Sequence, residues 1–367
     1  MVSFDIPVPA NYGGAIDVFY KLKSFHDAGV KVHLHCFEYD RKPSPLLNEL
    51  CAEVFYYKRD ISRTKLFSLK PYIVITRNSP ELLKNLLKDN YPILFEGLHS
   101  CFFLSDKRLK DRRMIVRTHN IEHDYYTSLG RTEKDLFKKY YFQNEAGKLR
   151  RFEHTLTHAS GIAAISKNDA EYFSKKYDNV TTVSAFHPNE GVSVCPGKGT
   201  FALYHGSLDV GENNEAAMFL TTKVFNDLKM PFIVAGNKAS RELKDALAAN
   251  PNAELRSGIT SEDIYELISQ AQINILPTFQ ATGIKLKLLA ALFRGRHCLV
   301  NTPMVLKTGL ESLCVIRDDP KEMKKAVKEL MAKPFDSIEI AKREEILLNK
   351  GFSNSHNIAQ LKGLLFS

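Results

Sequence analysis

One stretch of the sequence reads Ile273-Asn-Ile-Leu-Pro-Thr-Phe-Gln-Ala-Thr-Gly-Ile-Lys-Leu-Lys-Leu-Leu-Ala-Ala-Leu-Phe-Arg-Gly-Arg-His-Cys-Leu-Val300. It opens with a short β-branched run that ends at Leu276, continues with apolar residues at helical spacing, and closes with the apolar run Cys298 to Val300. This order predicts a strand, a helix and a second, parallel strand. We expect Thr282 to cap the helix N-terminus and Gly295 to end the helix.

Short β-branched runs alternate with helical patterns along the rest of the chain, as in parallel sheets built from βαβ units. The predicted strands are Val30–His35, Val54–Tyr57, Tyr72–Ile75, Pro92–Phe95, Met114–Val116, Gly161–Ile165, Phe201–Tyr204, Phe232–Val234, Ile273–Leu276, Cys298–Val300 and Cys314–Ile316. A segment rich in proline and glycine, from Phe186 to Gly199, separates the two halves. We predict an α/β fold of two doubly wound Rossmann-like domains, residues 1–190 and 191–350, with a closing helix within 351–367. Ligands of such sheets bind outside the carboxyl ends of the strands, so we expect them in a cleft between the domains.

Composition indicates a soluble protein of the cytoplasm. Hydrophobic residues make up 44% of the chain and charged residues 25%, and no apolar run approaches the roughly 20 residues of a membrane span. The segment Met1 to Pro7 lacks the basic start and apolar middle of a secretory signal. The six cysteines include no C-x-x-C pair, which predicts reduced thiols rather than disulfides or a zinc site.

The formal net charge of +9 is partly clustered. Residues Lys138 to Arg151 combine five basic side chains with aromatic residues in a helical pattern. We interpret this pattern as a solvated helix face beside the core; the alternative is a surface that contacts anionic lipid head groups at the inner membrane face. The sequence has no nucleic-acid-binding signature and no extended basic tract, so we expect no nucleic-acid partner.

The predicted helix after Thr282 offers a site for phosphate. Lys285 and Lys287 fall in or near its first turn, where the helix dipole disfavours cations unless an anion is bound. The backbone N–H groups of Gly283, Ile284 and Lys285 would point at such an anion, and glycine allows close approach. A core helix with two solvated lysines is the alternative.

A glycine pair joins a strand to a helix near the N-terminus. In Pro7-Val-Pro-Ala-Asn-Tyr-Gly-Gly14, the residues Gly13 and Gly14 stand where the helix begins. A helix N-terminus of this kind can cradle a phosphate. The pair can equally form a tight turn with no ligand.

A similar loop opens the second domain. The segment Tyr204-His-Gly-Ser-Leu-Asp-Val-Gly-Glu-Asn-Asn214 again joins a strand, a glycine loop and a helix. Its glycine and serine, Gly206 and Ser207, follow the strand directly. We expect Asn213 or Asn214 to cap the helix that follows.

A third loop, Arg117-Thr-His-Asn-Ile-Glu-His123, places several polar groups at the end of one predicted strand. A sugar or a phosphate can be held there. Its last five residues also match H-x-x-E-H, a pattern of zinc hydrolases. That pattern requires both histidines on one helix face and a third ligand downstream, whereas these histidines follow a strand, so a zinc hydrolase is a distant alternative.

Taken in order, these segments resemble the GT-B glycosyltransferases, most closely the retaining group called family 4. The resemblance covers almost the whole chain and rests on Pro9-Ala-Asn-Tyr-Gly-Gly14, Arg117-Thr-His-Asn-Ile-Glu122, Ala164-Ile-Ser166, Tyr204-His-Gly-Ser-Leu208 and Thr282-Gly-Ile-Lys-Leu-Lys-Leu-Leu289. It implies a GT-B fold. It also implies transfer of a sugar, with retention, from a nucleotide-sugar donor to a glycan or lipid-linked acceptor in surface polysaccharide synthesis. The C-terminal domain would hold the donor and the N-terminal domain the acceptor.

The resemblance further implies roles for individual residues. His119 would hydrogen-bond the transferred sugar, and Lys285 would stabilise the diphosphate that leaves. The donor-binding residues would be Gly13, Gly14, Gly206, Ser207, Thr282, Gly283, Ile284 and Lys287. The acceptor-side residues would be Tyr12, Arg117, Asn120 and Glu122. We expect no cofactor and no metal, since the sequence lacks the D-x-D pair of metal-dependent glycosyltransferases.

The chain departs from the family pattern at one motif. The paired glutamates of the family, eight positions apart, fall on Thr282 and Ala290 here. An alternative function is therefore a non-catalytic GT-B homologue that binds a sugar nucleotide or acts as a partner subunit.

Overall fold

The computed structural model describes residues 1–133, 135–279 and 285–367. The predicted site residues Thr282, Gly283 and Ile284 lie outside these ranges. The chain divides into two units, of which the first comprises residues 1–188 and 354–367 and the second residues 189–353.

The first unit is built on a seven-stranded, fully parallel sheet. Its strands are β1 (Val2–Ser3), β2 (His33–Glu38), β3 (Glu53–Lys58), β4 (Ile93–Glu96), β5 (Met114–Thr118), β6 (Gly161–Ala164) and β7 (Val180–Thr182). They are arranged in the order β3-β2-β1-β4-β5-β6-β7, with Val2 of β1 opposite both His35 and Phe95. The strand order thus reverses between β1 and β4.

Seven helices connect these strands. They are α1 (Gly13–Asp27), α2 (Leu46–Leu50), α3 (Tyr72–Ile75), α4 (Pro80–Leu86), α5 (Glu122–Thr132), α6 (Leu136–Phe152) and α7 (Lys167–Ser174). Shorter helical turns span Arg63–Phe67, Leu98–Phe103, Lys107–Leu109 and Glu153–His158. The helices α5 and α6 pack against each other as a hairpin between β5 and β6.

The second unit has a six-stranded parallel sheet. Its strands are β8 (Ala202–His205), β9 (Phe232–Ala235), β10 (Ala253–Arg256), β11 (Ile273–Ile275), β12 (His297–Val300) and β13 (Val315–Ile316). The order β10-β9-β8-β11-β12-β13 reverses between β8 and β11.

The helices of this unit follow in chain order. They are α8 (Gly211–Phe219), α9 (Arg241–Ala248), α10 (Ser261–Gln270), α11 (Leu286–Arg294), α12 (Thr302–Val305), α13 (Pro320–Ala332) and α14 (Ser337–Asn349), with shorter turns at Leu220–Val224 and Glu311–Leu313. The last helix, α15 (Asn354–Phe366), returns to the first unit, where it packs on α1 and its Leu364 carbonyl accepts from Arg113 Nε at 2.6 Å. None of the described helices combines the length and apolarity that a membrane span requires.

Both faces of the first sheet are buried, because helices cover each of them. Leu34 and Cys36 of β2 pack with α1 and α15, whereas Phe37 of the same strand packs on the opposite face. In the second unit, Leu203 and Ile233 form a core with α10 and with Ala290 of α11. The predicted α/β fold class is confirmed, since each unit is a doubly wound Rossmann-like sheet.

Three predictions of local structure are wrong. The cap position of α11 is Lys285 and not the predicted Thr282. Tyr72–Ile75, predicted as a strand, forms α3, because a four-residue apolar run has no decisive period and Pro71 precedes it as it precedes many helices. The cap of α8 is Val210, so Asn213 and Asn214 lie inside the helix. Their side-chain amides hydrogen-bond to other loops instead, to the Ser207 carbonyl oxygen and to Ser240 Oγ. These tertiary contacts take the place of helix capping.

The basic helix predicted over Lys138 to Arg151 forms α6, but its lysines do not share one surface. Lys148 is buried, with Nζ 2.9 Å from Glu145 Oε1 and 2.9 Å from the Leu66 carbonyl oxygen. This ion pair removes Lys148 from the predicted solvated face and equally from the alternative, lipid-contacting one. Strands β7 and β10 were not predicted.

Candidate functional site

Doubly wound sheets bind ligands where the strand order reverses, at the carboxyl ends of the strands. In the first unit this point lies between β1 and β4, and in the second between β8 and β11. We call the carboxyl side of each sheet, which includes this point, the first-unit edge and the second-unit edge. Each carries polar side chains from the loops that the sequence singled out.

The paired glycines begin α1 at the first-unit edge. Gly13 is exposed, and Gly14 lies against Phe4, the residue that directly follows β1. A Cβ atom on Gly14 would lie 2.7 Å from Phe4 Cζ, so a larger residue would displace that ring. Gly14 therefore keeps the helix close to the strand end, while Gly13 leaves the backbone accessible.

A buried ionic cluster joins α1 to β4 and β5 at this edge. Lys21 Nζ lies 2.8 Å from Asp17 Oδ2 and 2.8 Å from Glu96 Oε2. Arg117 Nη2 donates to Asp17 Oδ1 at 3.1 Å. At most 1% of any of these four side chains is exposed. Two carboxylates meet two cations, so the formal charges of the four groups balance.

The cations set the protonation of both carboxyl groups. Burial alone would raise the pKa of Asp17, but Arg117 and Lys21 outweigh it and hold that pKa well below its ordinary value. Burial also acts against ionised Glu96, and Lys21 again outweighs it and lowers the pKa. Both groups are therefore carboxylates at neutral pH.

His119 is the member of this cluster that reaches the surface. Its side chain is 11% exposed, and Nε2 lies 3.0 Å from Glu96 Oε2. Its ring packs edge-on against Phe4, with the ring centroids 5.5 Å apart. The buried carboxylate thus fixes the orientation of the imidazole that the sequence predicted to meet the transferred sugar.

Arg117 does not fit the acceptor-side role that the sequence predicted. Its guanidinium is fully buried and donates to Asp17 and to the carbonyl oxygens of Val183 and Ser184. These bonds leave it directed into the protein. We assign Arg117 instead to holding Asp17 within the cluster.

The other predicted acceptor-side residues differ in accessibility. Tyr12 is 39% exposed, and its hydroxyl donates to Asp5 Oδ2 at 3.0 Å. Asn120 is half-buried, and Glu122, at the start of α5, is 5% exposed. Burial raises the pKa of Glu122 to about 8, and its Oε1 lies 3.8 Å from His99 Nδ1. Glu122 is thus a largely protonated carboxyl at neutral pH.

The zinc-hydrolase pattern does not form a zinc site in the described part of the chain. His123 Nδ1 lies 3.2 Å from Glu153 Oε2, whereas His119 contacts Glu96. The two histidines therefore have separate partners. The physical reason is the one that the sequence suggested, since only His123 belongs to the helix.

One other group, Asp17, Glu96 and His119, has ligand atoms within 4.8 Å of one another. Lys21 Nζ already bonds to both carboxylates of this group. The ammonium takes the place that a metal cation would need, so we assign the group no metal.

At the second-unit edge, the loop after β8 is enclosed by its neighbours. A Cβ atom on Gly236, which follows β9, would lie 2.0 Å from the Gly206 carbonyl oxygen. On its other side Gly206 faces Asn213 of α8, whose Nδ2 donates to the Ser207 carbonyl oxygen at 2.9 Å. The side chain of Ser207 is exposed. Gly206 and Ser207 are thus held at the carboxyl edge, as predicted.

Two lysines stand at the start of α11 on the same edge. Lys287 Nζ donates to Asn213 Oδ1 at 2.7 Å and lies 5.1 Å from the centre of the Tyr204 ring. Lys285 Nζ lies 3.9 Å from Glu212 Oε1. Burial lowers the pKa of Lys287 to about 8, an effect that Glu212 opposes and Lys285 increases. Protein groups therefore compensate the positive charge of the Lys287 ammonium only in part.

His205, the last residue of β8, adds an unused hydrogen-bonding atom. Its Nε2 is buried and has no partner among the described residues. Burial lowers the pKa of His205 to about 3, and Lys287 adds to the effect. The imidazole is therefore neutral at physiological pH.

The structure groups the predicted residues by unit. Lys285 and Lys287 join Gly206 and Ser207 at the second-unit edge, and His119 joins the glycine pair at the first-unit edge. Sequence reasoning missed Asp17, Lys21, Glu96, His205, Glu212 and Asn213 as site residues. A signal existed for three of them: Glu96 ends a strand, and Asp17 and Lys21 interrupt the apolar face of α1 at helical spacing.

Sequence comparison relates this chain to sugar-transferring proteins. Residues 200–333 match the model of the family described as Glycosyl transferases group 1. These residues include the whole second-unit edge. An uncharacterised 44.6 kDa protein in the cps region of Klebsiella pneumoniae is 25% identical over 335 residues, which cover 85% of this chain and 83% of that protein.

Solved structures with the same fold include HepE of Anabaena in complex with UDP and glucose. It aligns with a TM-score of 0.65 and 10% identity, over 96% of each chain. A variant of S. aureus TarM, in complex with UDP, fondaparinux and α-GlcNAc-glycerol, aligns with a TM-score of 0.59 and 10% identity, over 97% of each chain. These similarities establish the fold: two parallel-sheet Rossmann-like domains, as in the GT-B glycosyltransferases.

Proposed function

We propose that this protein is a glycosyltransferase that moves a sugar from a nucleotide-sugar donor to a glycan or lipid-linked acceptor of a surface polysaccharide. The observation that carries the proposal is the lysine pair Lys285 and Lys287 at the start of α11, on the carboxyl edge where the sheet order reverses. The match to the Glycosyl transferases group 1 family over this region supports it. The similarity to a protein of a cps region supports the polysaccharide product.

We further propose that the donor is a uridine diphosphate sugar and that its diphosphate binds at the second-unit edge. HepE and TarM of the same fold are both known in complex with UDP. Lys287 is half-buried, and a diphosphate beside it would provide the counter-charge that Asn213 cannot. Charge-assisted hydrogen bonds of this kind are about twice as strong as neutral ones.

Transfer requires the bond between the sugar and the diphosphate to break, which builds negative charge on the leaving oxygens. Lys285 and Lys287 would stabilise that charge, and a partly buried site would make the interaction stronger than it is in water. His119, oriented by Glu96, would hydrogen-bond the sugar. With two lysines at the leaving group, we expect the reaction to proceed without a divalent metal and, by the family resemblance, with retention.

A non-catalytic homologue is the second candidate function. One observation favours it: Ala290, at a position where the family carries a glutamate, is 7% exposed and packs into the core of the second unit. That position offers no carboxylate to a donor. Glu212, beside Lys285 and hydrogen-bonded to Thr278, is the carboxylate of this edge that lies nearest the start of α11 among the described ion pairs.

A transfer assay separates the two candidates. The purified full chain is incubated with radiolabelled UDP-sugars and a lipid extract from cells that make a surface polysaccharide, and the label in the lipid phase is counted. We expect transfer from one donor, and a loss of roughly 100-fold in rate for Lys287→Met, since removing one preorganised donor from a developing charge has an effect of that size. The control Lys321→Met, at an exposed site of the second unit, should transfer normally. Binding of UDP without transfer from any donor would favour the non-catalytic homologue.

A further inference from the structure

Two arginines without acidic partners lie together at the first-unit edge. Arg59 directly follows β3, and its Nε donates to Thr76 Oγ1 at 2.9 Å. Arg77 directly follows Thr76. It donates from Nε to the Phe4 carbonyl oxygen at 2.8 Å and from Nη1 to the Ile73 carbonyl oxygen. Neither guanidinium forms an ion pair with a carboxylate within residues 1–133, 135–279 and 285–367.

The carboxylates near this pair bond to other cations: Asp60, which follows Arg59, lies with Oδ2 2.9 Å from Lys65 Nζ. Arg77 is 5% exposed, and its pKa is lowered to about 9, first by burial and then by Arg59. His99 is influenced by Arg77 too, since burial and then Arg77 lower its pKa. The carboxylate of Asp5 acts on Arg77 from a distance, but it is bound by Arg41, whose Nε lies 3.4 Å from Oδ2.

An anion bound between the two arginines would supply the negative charge that their guanidinium groups lack. A buried cation without a counter-charge is costly, and a bound anion would supply the missing charge. Arg59 is half-buried. Its Cζ lies 4.7 Å from the centre of the Tyr39 ring and 5.9 Å from that of Tyr72, and these rings hold its remaining N–H groups in a fixed direction. Planar guanidinium groups bind phosphate oxygens in a bidentate manner, which makes phosphate the matching ligand.

Large apolar side chains are exposed in the segment before Tyr72 and at the start of α6. We call them the apolar strip: Phe67 (89% exposed), Leu69 (90%), Leu136 (78%), Phe137 (89%) and Tyr140 (73%). Exposed apolar groups of this size mark interaction surfaces when they occur together.

The contacts of α6 place residues 66–72, which include Phe67 and Leu69 of the strip, beside this helix. Glu145 Oε2 accepts from the backbone N–H of Tyr72 at 2.6 Å, and Lys148 Nζ donates to the Leu66 carbonyl oxygen at 2.9 Å. Residues 66–72 therefore run beside the second half of α6. Phe137 lies two turns before Glu145 and about 80° from it around the helix, so it faces the same flank, whereas Leu136 and Tyr140 lie further round the helix, toward solvent. Tyr72, which touches Arg59, connects the strip to the arginine pair.

The strip also lies at the level of the carboxyl ends of the strands. Tyr141 of α6 is close enough to Arg59 and Tyr39 for their charges to act on its pKa, which burial raises. Tyr39 and Arg59 directly follow β2 and β3. The first turn of α6, which carries Leu136 and Phe137 and is followed by Tyr140, therefore begins at or beyond that edge. Lys138 and Lys139 of the same turn are exposed and half-buried, respectively, and add positive charge.

We propose that the first-unit edge binds a phosphate group carried on a lipid, with Arg59 and Arg77 on the phosphate and the apolar strip on the hydrocarbon chains. This inference rests on the proposed function and narrows its acceptor to a lipid-linked one. Phosphate alone would explain the arginines but not the strip, and a bilayer alone would explain the strip but not a nine-tenths-buried arginine.

Vesicle binding of the full chain tests this proposal. The vesicles contain phosphatidylcholine alone, phosphatidylcholine with phosphatidylglycerol, or phosphatidylcholine with polyprenyl diphosphate at matched charge. We expect the diphosphate vesicles to bind at least about tenfold more tightly than the phosphatidylglycerol vesicles, a difference that two charge-assisted bonds can supply. Arg59→Gln should remove this preference. The double variant Leu136→Ser with Phe137→Ser should weaken binding to all vesicles about tenfold or more, since two large side chains lose their burial.

Matched controls lie on the second unit. Arg241→Gln and Ile338→Ser change side chains that are 93% and 77% exposed, and both should bind vesicles as the unchanged protein does. Equal binding to the two anionic vesicles, or an unchanged preference in Arg59→Gln, would overturn the phosphate site. If soluble inorganic diphosphate bound at the arginines but no vesicle bound, the proposal that the phosphate is carried on a lipid would be overturned.

The same samples are titrated with UDP. The first-unit variants should bind UDP as the unchanged protein does, which also shows that they are folded. Normal UDP binding without vesicle binding would overturn this inference and leave the proposed function standing. Vesicle binding without UDP binding would overturn the proposed donor site and leave the lipid-phosphate site standing.

Discussion

Lys21 holds the first-unit edge together, because it is the ammonium shared by two buried carboxylates. Its Nζ contacts the carboxylates of Asp17 and Glu96. Without the ammonium, both carboxylates would stay buried with less positive charge to balance them. Replacing Lys21 by methionine keeps the volume and removes the charge. We predict a loss of about 3–5 kcal/mol in the free energy of unfolding, measured by urea denaturation. Lys84→Met, at an exposed position of α4, should change it by less than about 0.5 kcal/mol. A similar, small effect of both variants would show that the cluster contributes little to stability.

The same carboxylates predict how stability depends on pH. The pKa values of Asp17 and Glu96 are lower in the folded protein than their ordinary values of 3.8 and 4.5. The folded state therefore binds fewer protons than the unfolded state, so their contribution to stability is complete above these ordinary values. It is lost as the pH falls below them. Thermal unfolding followed from neutral pH into this range should show a steep drop in the midpoint. In Asp17→Asn that drop should be shallower, and an equally steep one would place the acid sensitivity elsewhere.

Lys287 predicts a pH dependence of donor binding. Its pKa in the free protein is lowered to about 8, so above that pH the amine becomes neutral and loses its attraction for a diphosphate. The affinity for UDP should therefore fall as the pH rises through about 8, by up to tenfold per pH unit for one proton. Lys287→Arg keeps its charge over this range, and its affinity should be flat. A decline of the same size in Lys287→Arg would exclude Lys287 as the titrating group.

At the scale of elements, the second-unit edge depends on the close approach of two strand ends. A Cβ atom on Gly236 would clash with the Gly206 carbonyl oxygen, which belongs to the backbone and cannot move aside as a side chain can. We predict that Gly236→Ala lowers the free energy of unfolding by about 1–3 kcal/mol and weakens UDP binding by displacing the Gly206–Ser207 loop. Gly211→Ala, at the start of α8, adds its methyl group to open space and serves as the control. Unchanged UDP binding in Gly236→Ala would show that the loop does not contact the donor.

The elements also show where sequence patterns are sufficient. The runs at Ile273 and Cys298 flank an amphipathic helix, and the structure has strands β11 and β12 there. The run Tyr72–Ile75 has the same β-branched composition but lies between Pro71 and Pro80, and it forms a helix. Four residues cannot distinguish the two periods, so tertiary contacts such as the one from Tyr72 to Glu145 determine the outcome.

At the scale of the whole molecule, the order of strands determines which side chains meet. Lys21 and Glu96 are 75 residues apart, and Lys287 and Asn213 are 74 apart. The sequence predicted the loops at the strand ends, because parallel sheets place them at one edge. It could not predict these pairs, which depend on β1 lying beside β4 and β8 beside β11. The burial of Arg117 was likewise hidden, since a polar residue at a strand end can face either the ligand or the core.

The central claim is that the second-unit edge binds a nucleoside diphosphate through its lysines. Calorimetric titration of the purified protein with UDP and with GDP tests it most directly, alongside Lys287→Met, Lys285→Ala and the exposed control Lys321→Met. We predict that UDP binds, that each site variant weakens it at least about tenfold, and that the control binds normally. Failure to bind either nucleotide, or equal affinity in all four proteins, would contradict the claim.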